Sequence, residues 1–304
     1  MNTPYTSRRH FLKQAAGLGG AMLASGASLA ALNPFAAPRI GVQLYTLRDL
    51  MKDDFEGTIE KVAAIGYKEV EFAGYYDRSP DQVRALLDRL GLTSPSVHAG
   101  LEGLREDLEG NLDTYARIGH TYVTIPALPG AFGGQIAADA WPKFASEFNT
   151  IGKACKARGL KLAYHNHNFE FAPVGNQTAL DVLLSQTDPD LVSFELDLAW
   201  AYIGGQDPLA WFDRYPGRFA MWHVKDVKGP DVVAKAFKET PREAFRVFGE
   251  RVSAVGDGDI DFKKIFAAAK KSGMEHYFVE NDFPKDALAN ITASYKSLST
   301  WVPG

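Results

Sequence analysis

From Arg39 onward the chain repeats one unit, a short apolar, strand-like run followed by an amphipathic helical run that stops at a glycine or a turn. The strand-like runs fall at 39–48, 67–74, 92–100, 121–129, 161–171, 191–200, 218–226 and 276–282, and a helical run follows each, the last over 286–300. Local signals agree with this phasing. DFEGTIEKVAAIG closes at Gly66. SPDQVRALLDRLG opens with Ser79 as a cap and Pro80 at the first helical position, where a missing N–H costs nothing. Strands alternating with helices predict parallel βαβ units. Eight of them in succession predict an α/β fold, a single-domain (β/α)8 barrel over 38–304, since such barrels typically take about 250 residues.

The facing of the strands sharpens this expectation. In a barrel, one set of alternate residues packs under the helices and the other points to the axis. Trp222 and Val224 oppose Met221, His223 and Lys225; Phe194 and Leu196 oppose Glu195 and Asp197. Tyr277 and Val279 oppose Phe278, Glu280 and Asp282; Val70 and Phe72 oppose Glu69 and Glu71. Val97 opposes Ser96 and His98, and Val42 with Leu44 opposes Gln43 and Tyr45. Each apolar set suits the helix side. The inward polar groups gather toward the strand C-termini, where barrel enzymes build their sites.

KLAYHNHNFEF (161–171) adds two imidazoles. Two apart on a strand, His165 and His167 share a face. The inward set then includes His98, His165, His167, Glu195, Asp197, His223, Lys225 and Glu280. So many ionisable groups in one mouth need compensation, because a buried unpaired charge is costly. A single divalent cation is the simplest answer. The expected ligands are His165, Asp197, His223 and Glu280, one from each of four consecutive strands. Two imidazoles and two carboxylates suit Mn, Zn, Co or Fe better than Mg, which prefers an all-oxygen shell.

A formal net charge of −4 and a pI near 6.0 speak against nucleic acid as partner, which demands clustered Lys and Arg. The one cysteine, Cys155, leaves no disulfide within the chain. Residues 1–37 read as an export signal: SRRHFLK, then a Gly/Ala/Ser-rich apolar stretch, then NPFAAP. Arg8–Arg9 followed by Phe11-Leu12-Lys13 is of twin-arginine type. The apolar stretch is too short and weak for a spanning helix. The expectation is a periplasmic protein with no stable membrane anchor after cleavage; a homo-oligomer is left open.

GVQLYTLRD, YHNHNFEF, ELDLAW, WHVKD, VGDGDIDF (255–262) and VEND together resemble the xylose isomerase-like TIM barrels, the sugar phosphate isomerases/epimerases with their inosose dehydratase and ketose 3-epimerase relatives. The resemblance covers about residues 39–300. It implies a metal held at the ends of strands five to eight by Glu, Asp, His and Glu. Asp197, His223 and Glu280 match that pattern, while His165 stands where the epimerases have Glu. A symmetric two-glutamate epimerisation is thereby put in question, and an HxH fifth strand looks closer to the dehydratases. The implied chemistry is proton abstraction beside a carbonyl through a cation-stabilised enediolate. Glu280, His167 and His98 are the candidate base and acid, and Lys225 a candidate for stabilising oxyanion charge. Tyr45, Gln43, Trp200 and Asn166 are candidate substrate contacts.

Structural readings stand beside these. His223 could bond Asp226; Asp197 could cap the loop after it; His167 could orient His165 or Glu170; Glu71 could be tied to a Lys or Arg inside the barrel, with Glu195 structural beside it. Segment 227–254 is expected to cap the mouth. No phosphate loop and no Arg cluster mark strands seven and eight, so an unphosphorylated sugar is expected. The leading function is a sugar or keto-sugar isomerase/epimerase. The alternatives are a lyase eliminating a β-substituent from a 3-keto-glycoside or inosose-like substrate, and a non-catalytic sugar-binding barrel.

Overall fold

The structure, a computed structural model, describes residues 39–132 and 136–301. The export signal read over 1–37 lies outside them. Eight parallel strands close into a barrel: β1 (Gly41–Gln43), β2 (Glu69–Phe72), β3 (Thr93–His98), β4 (Tyr122–Ile125), β5 (Lys161–His165), β6 (Val192–Asp197), β7 (Met221–Val224) and β8 (His276–Val279). Each pairs with its sequence neighbours, and β1 closes the ring on β8 through Gly41 opposite Phe278. Among the described residues no helix is long and apolar enough to cross a membrane.

The facing follows the sequence pattern. Val42, Val70, Phe72, Phe194 and Trp222 are buried in the main core between sheet and helices. A separate small cluster, Tyr122, Ala163, Ala220, Met221 and Phe278, fills the barrel interior. The next inward positions, Glu71, Ser96, Thr124, Glu195 and His223, form a buried polar layer. The site therefore rests on an apolar plug.

The strands are shorter than the sequence predicts, because side chains end them. Gln43 accepts a hydrogen bond from the Tyr45 N–H at 2.9 Å and turns the chain into a 3-10 segment, Leu44–Leu47. Asp197 caps the helix Leu198–Ile203, so Trp200 is helical. β5 stops at His165, and a short 3-10 turn covers Phe169–Phe171. There Glu170 accepts from the His167 N–H at 2.8 Å and from the Tyr164 hydroxyl. His167 thus lies beyond the strand, and its closeness to His165 (ring centroids 5.0 Å apart) comes from this turn rather than from strand alternation.

Segment 227–254 forms two helices, Pro230–Glu239 and Pro241–Arg251. Asp226–Val227 and Val252–Ser253 pair antiparallel at its base. Asp226 organises the loop that follows, accepting the N–H groups of Val227, Gly256, Gly258 and Ile260 at 2.9–3.3 Å. A Cβ on Gly258 would sit 2.1 Å from Asp226 Oδ1, so only glycine allows this approach. Asp226 is consequently not a partner of His223. Asp261 then caps the helix Phe262–Phe266 through the Lys264 N–H at 3.1 Å.

Candidate active site

One ligand-type atom from each of His165, Asp197, His223 and Glu280 lies within 4.8 Å of every other, and all four residues are buried. The barrel register brings them together: Asp197 is level with His223 across β6 and β7, and Glu280 follows β8 directly. Asp197 divides its oxygens. Oδ1 accepts the Trp200 N–H at 2.8 Å, and Oδ2 lies 2.9 Å from Lys225 Nζ. Glu280 Oε2 is 2.8 Å from both His223 Nδ1 and Lys225 Nζ. His165 Nδ1 is buried without a hydrogen-bond partner among the described residues, and Glu195 Oε2 is 3.5 Å away.

His223 also faces inward. Its Nε2 is 2.8 Å from Glu71 Oε2 and 3.2 Å from Glu195 Oε2. His98 Nε2 pairs with Glu195 Oε2 at 3.0 Å. Glu71 is held by Gln43 at 2.7 Å, by the Ser96 hydroxyl and by His223, not by the Lys or Arg the sequence suggested. Five carboxylates thus gather here, Glu71, Glu195, Asp197, Glu280 and Asp282, with Lys225 as the permanent cation among them. Lys225 is fully buried and 2.7 Å from Asp282 as well. Its ammonium is spent on Asp197, Glu280 and Asp282, so it stands behind the cavity wall rather than at a developing oxyanion.

Protonation follows from burial set against this excess of negative charge. Burial opposes charge on His223, but Glu195 and Glu280 outweigh it and raise the ring well above its ordinary range, so a metal bound there would displace a proton. His98 is likewise raised, burial being overcome by Glu71 and Glu195. Burial pushes Asp197 up to about 6, against the pull of Lys225. Burial, then Lys225, takes His167 down to about 3. Burial and the neighbouring imidazoles keep His165 neutral, the form that ligates metals. Burial works against the Glu280 carboxylate, yet Lys225 and His223 hold it well below the usual range.

Above the cluster opens a cavity of about 580 Å³, lined by His98, His165, His167 and Glu280 together with Tyr45 and Trp200. Two predicted contacts are elsewhere. Gln43 is buried against Glu71, and Asn166 accepts the Asp197 N–H at 3.0 Å and donates to the His167 carbonyl. Both shape the site without lining the cavity. Sequence reasoning did not single out Phe132, Phe245, Phe283 or Asp282 as site residues, yet all four line it. The signal for Phe132 was an aromatic in an otherwise Gly-rich loop, and for Phe245 its place in the expected cap.

A closed parallel barrel with buried imidazoles and carboxylates at its C-terminal mouth defines a barrel enzyme with a site able to hold a divalent cation. Residues 59–300 match the family described as the xylose isomerase-like TIM barrel, and the chain belongs to that family. An inosose dehydratase of Bacillus cereus (strain AH820) is 30% identical over 260 residues, 79% of this chain and 85% of the relative. A sugar phosphate isomerase/epimerase from Parabacteroides distasonis ATCC 8503 superposes with a TM-score of 0.71 at 26% identity, covering 90% of this chain and 97% of that one. The IOLI protein, solved with a zinc atom, shares the fold at a TM-score of 0.66 and 16% identity, over 88% of this chain and 100% of its own. The chain is therefore an enzyme, of isomerase/epimerase or lyase kind, which sets aside the non-catalytic barrel.

Proposed function

We propose that this enzyme is a metal-dependent lyase that removes the proton beside the carbonyl of a keto-sugar or cyclic keto-polyol and expels the substituent on the next carbon. The asymmetry of the mouth carries the reading. Among the described residues, the two carboxylates lining the cavity, Glu280 and Asp282, come from the end of β8. The imidazoles of His98, His165 and His167 come from the ends of β3 and β5, which the closed order sets across the barrel. A wall of base facing a wall of imidazole suits elimination better than a proton passed between two equivalent carboxylates.

The donor set fits a cation: mixed nitrogen and oxygen, with a neutral His165 whose Nδ1 is unpartnered among the described residues. Held by His165, Asp197, His223 and Glu280, it would polarise the carbonyl and its neighbouring hydroxyl. Zinc in the IOLI structure supports zinc among the four candidate metals. Glu280 takes the C–H proton, and the C–H electron pair becomes the new C=C bond. The C–O bond to the β-substituent breaks with its pair on oxygen, and protonated His98 supplies the proton to that oxygen. Neutral His167 holds a substrate hydroxyl. No Arg or Lys is among the described residues lining the cavity, so the substrate is unphosphorylated. The signal over 1–37 makes the periplasm the proposed place of action.

The likeness to inosose dehydratases supports this reading; the likeness to the Parabacteroides isomerase/epimerase supports a second, in which the proton is returned to carbon. Incubation of the metal-loaded enzyme with inosose and simple ketoses in deuterated water separates them. Elimination gives an unsaturated product. Deuterium in an isomer with no unsaturated product would overturn the lyase reading.

A further inference from the structure

Four aromatic side chains remain substantially exposed: Tyr45 at 42%, Phe132 at 57%, Phe245 at 41% and Phe283 at 43%. All four line the cavity that holds His98, His165 and Glu280. They come from four distant parts of the chain, so their meeting is a property of the fold. Scattered single aromatics on a surface mean little, but converging ones mark a binding site.

The rings are fixed from behind and open in front. Phe132 packs edge-on against His167 with centroids 4.8 Å apart, and against Phe169 at 5.6 Å. Phe245 leans on Phe237 at 5.1 Å. Phe283 meets Phe248 at 5.8 Å. Phe132 and Phe245 face one another across 6.4 Å. Such support holds the rings ready at small conformational cost on binding. The floor of the cavity is ionisable and hydrogen-bonding; its rim is apolar. A polyol bearing hydroxyls alone would satisfy the floor and leave the rim wet.

We infer that the rim is a subsite for an aromatic or other flat apolar group bonded through oxygen to the carbon that loses its substituent, so that the substrate is a keto-glycoside with an apolar aglycone. This rests on the lyase reading and names its leaving group. The departing oxygen takes the C–O electron pair and one proton, releasing the aglycone as a free alcohol or phenol, while the sugar becomes an enone. No oxidant is consumed. An oxidation of a ring hydroxyl to the ketone must therefore precede this enzyme.

The probes are benzyl and methyl 3-keto-β-glucoside, whose leaving alcohols are of similar basicity, with inosose as the control lacking an aglycone. The expected result is kcat/KM for the benzyl substrate on the order of 10–100-fold above the methyl one. That ratio falls toward one in Phe132→Ala with Phe245→Ala. Calorimetric titration with the unreactive benzyl and methyl β-glucosides should show the same preference without turnover. A benzyl-to-methyl ratio near one in both measurements overturns the subsite even if inosose is dehydrated, which leaves the lyase reading intact. Failure with all three substrates removes both. A dimer that falls apart in the double variant, seen by sedimentation, would overturn the inference in favour of a second copy covering the rim.

Discussion

The two ends of this barrel carry charge differently. At the N-terminal end Glu69 is met by Arg39 at 3.0 Å and His276 at 2.8 Å, and Arg39 reaches it from a half-exposed position. Glu69 itself is buried, but it is paired, and both partners reach water. At the C-terminal end Asp197, Glu280 and Asp282 share one lysine while Glu71 and Glu195 lean on the imidazoles of His98 and His223, and the buried His165 Nδ1, His167 Nδ1 and Glu195 Oε1 have no hydrogen-bond partner among the described residues. One end is balanced for folding. The other is balanced only when something positive is added, which is how a site that binds a cation differs from a salt bridge.

The largest break in this contrast is expected from Asp197→Asn with His223→Asn. Metal content should fall to background by elemental analysis, and turnover of inosose should drop on the order of 10³-fold or more. Metal content equal to that of the parent protein would refute the ligand set. Next comes Lys225→Met, which leaves Asp197, Glu280 and Asp282 facing one another. Urea unfolding of the metal-free variant should show a loss of about 3–5 kcal/mol. The loss should shrink when a divalent metal is added; an equal loss with and without metal would separate Lys225 from the cation site.

A third test uses an imidazole away from the mouth. His120 has both nitrogens engaged, Nδ1 with the Ser94 carbonyl and Nε2 with the Tyr75 hydroxyl, each at 2.8 Å. Burial takes it down to about 4. Its folded value lies below its unfolded one near 6.5, so the unfolded chain gains the proton first as pH falls. The stability it contributes is complete above about 6.5 and is lost on acidification toward 4. Compared with His120→Asn, the parent should lose about 3 kcal/mol more between pH 7 and 4 in urea midpoints. Parallel curves would remove the neutral, satisfied His120 from the comparison. The smallest effect belongs to the balanced end: Arg39→Ala should cost about 0–1 kcal/mol, diminishing further in salt. A larger loss would mean that Arg39, although exposed, is what keeps the buried Glu69 charged.

The barrel and the meeting of β5–β8 were readable because both follow from period: the strand–helix repeat sets the fold, and alternation sets which side chains point in. The strand ends were not. Gln43, Asp197 and Glu170 stop their strands with side-chain hydrogen bonds, which no hydrophobic pattern reports. Lys225 was legible as inward but not as enclosed, since its partners come from β6 and from beyond β8. The aromatic rim was the least visible, because Tyr45, Phe132, Phe245 and Phe283 approach only through loops.

The short antiparallel pair under segment 228–251 separates two jobs of the mouth. It ties entry and exit of the two-helix insertion side by side, and Asp226 anchors the backbone on the far side independently. Changes in the backbone between those ties need not pull on the strand that carries His223; what couples them is packing, with Phe237 and Phe248 set against Trp200 at 5.5 and 4.5 Å. Selection of the substrate is thereby mechanically set apart from the reaction below it.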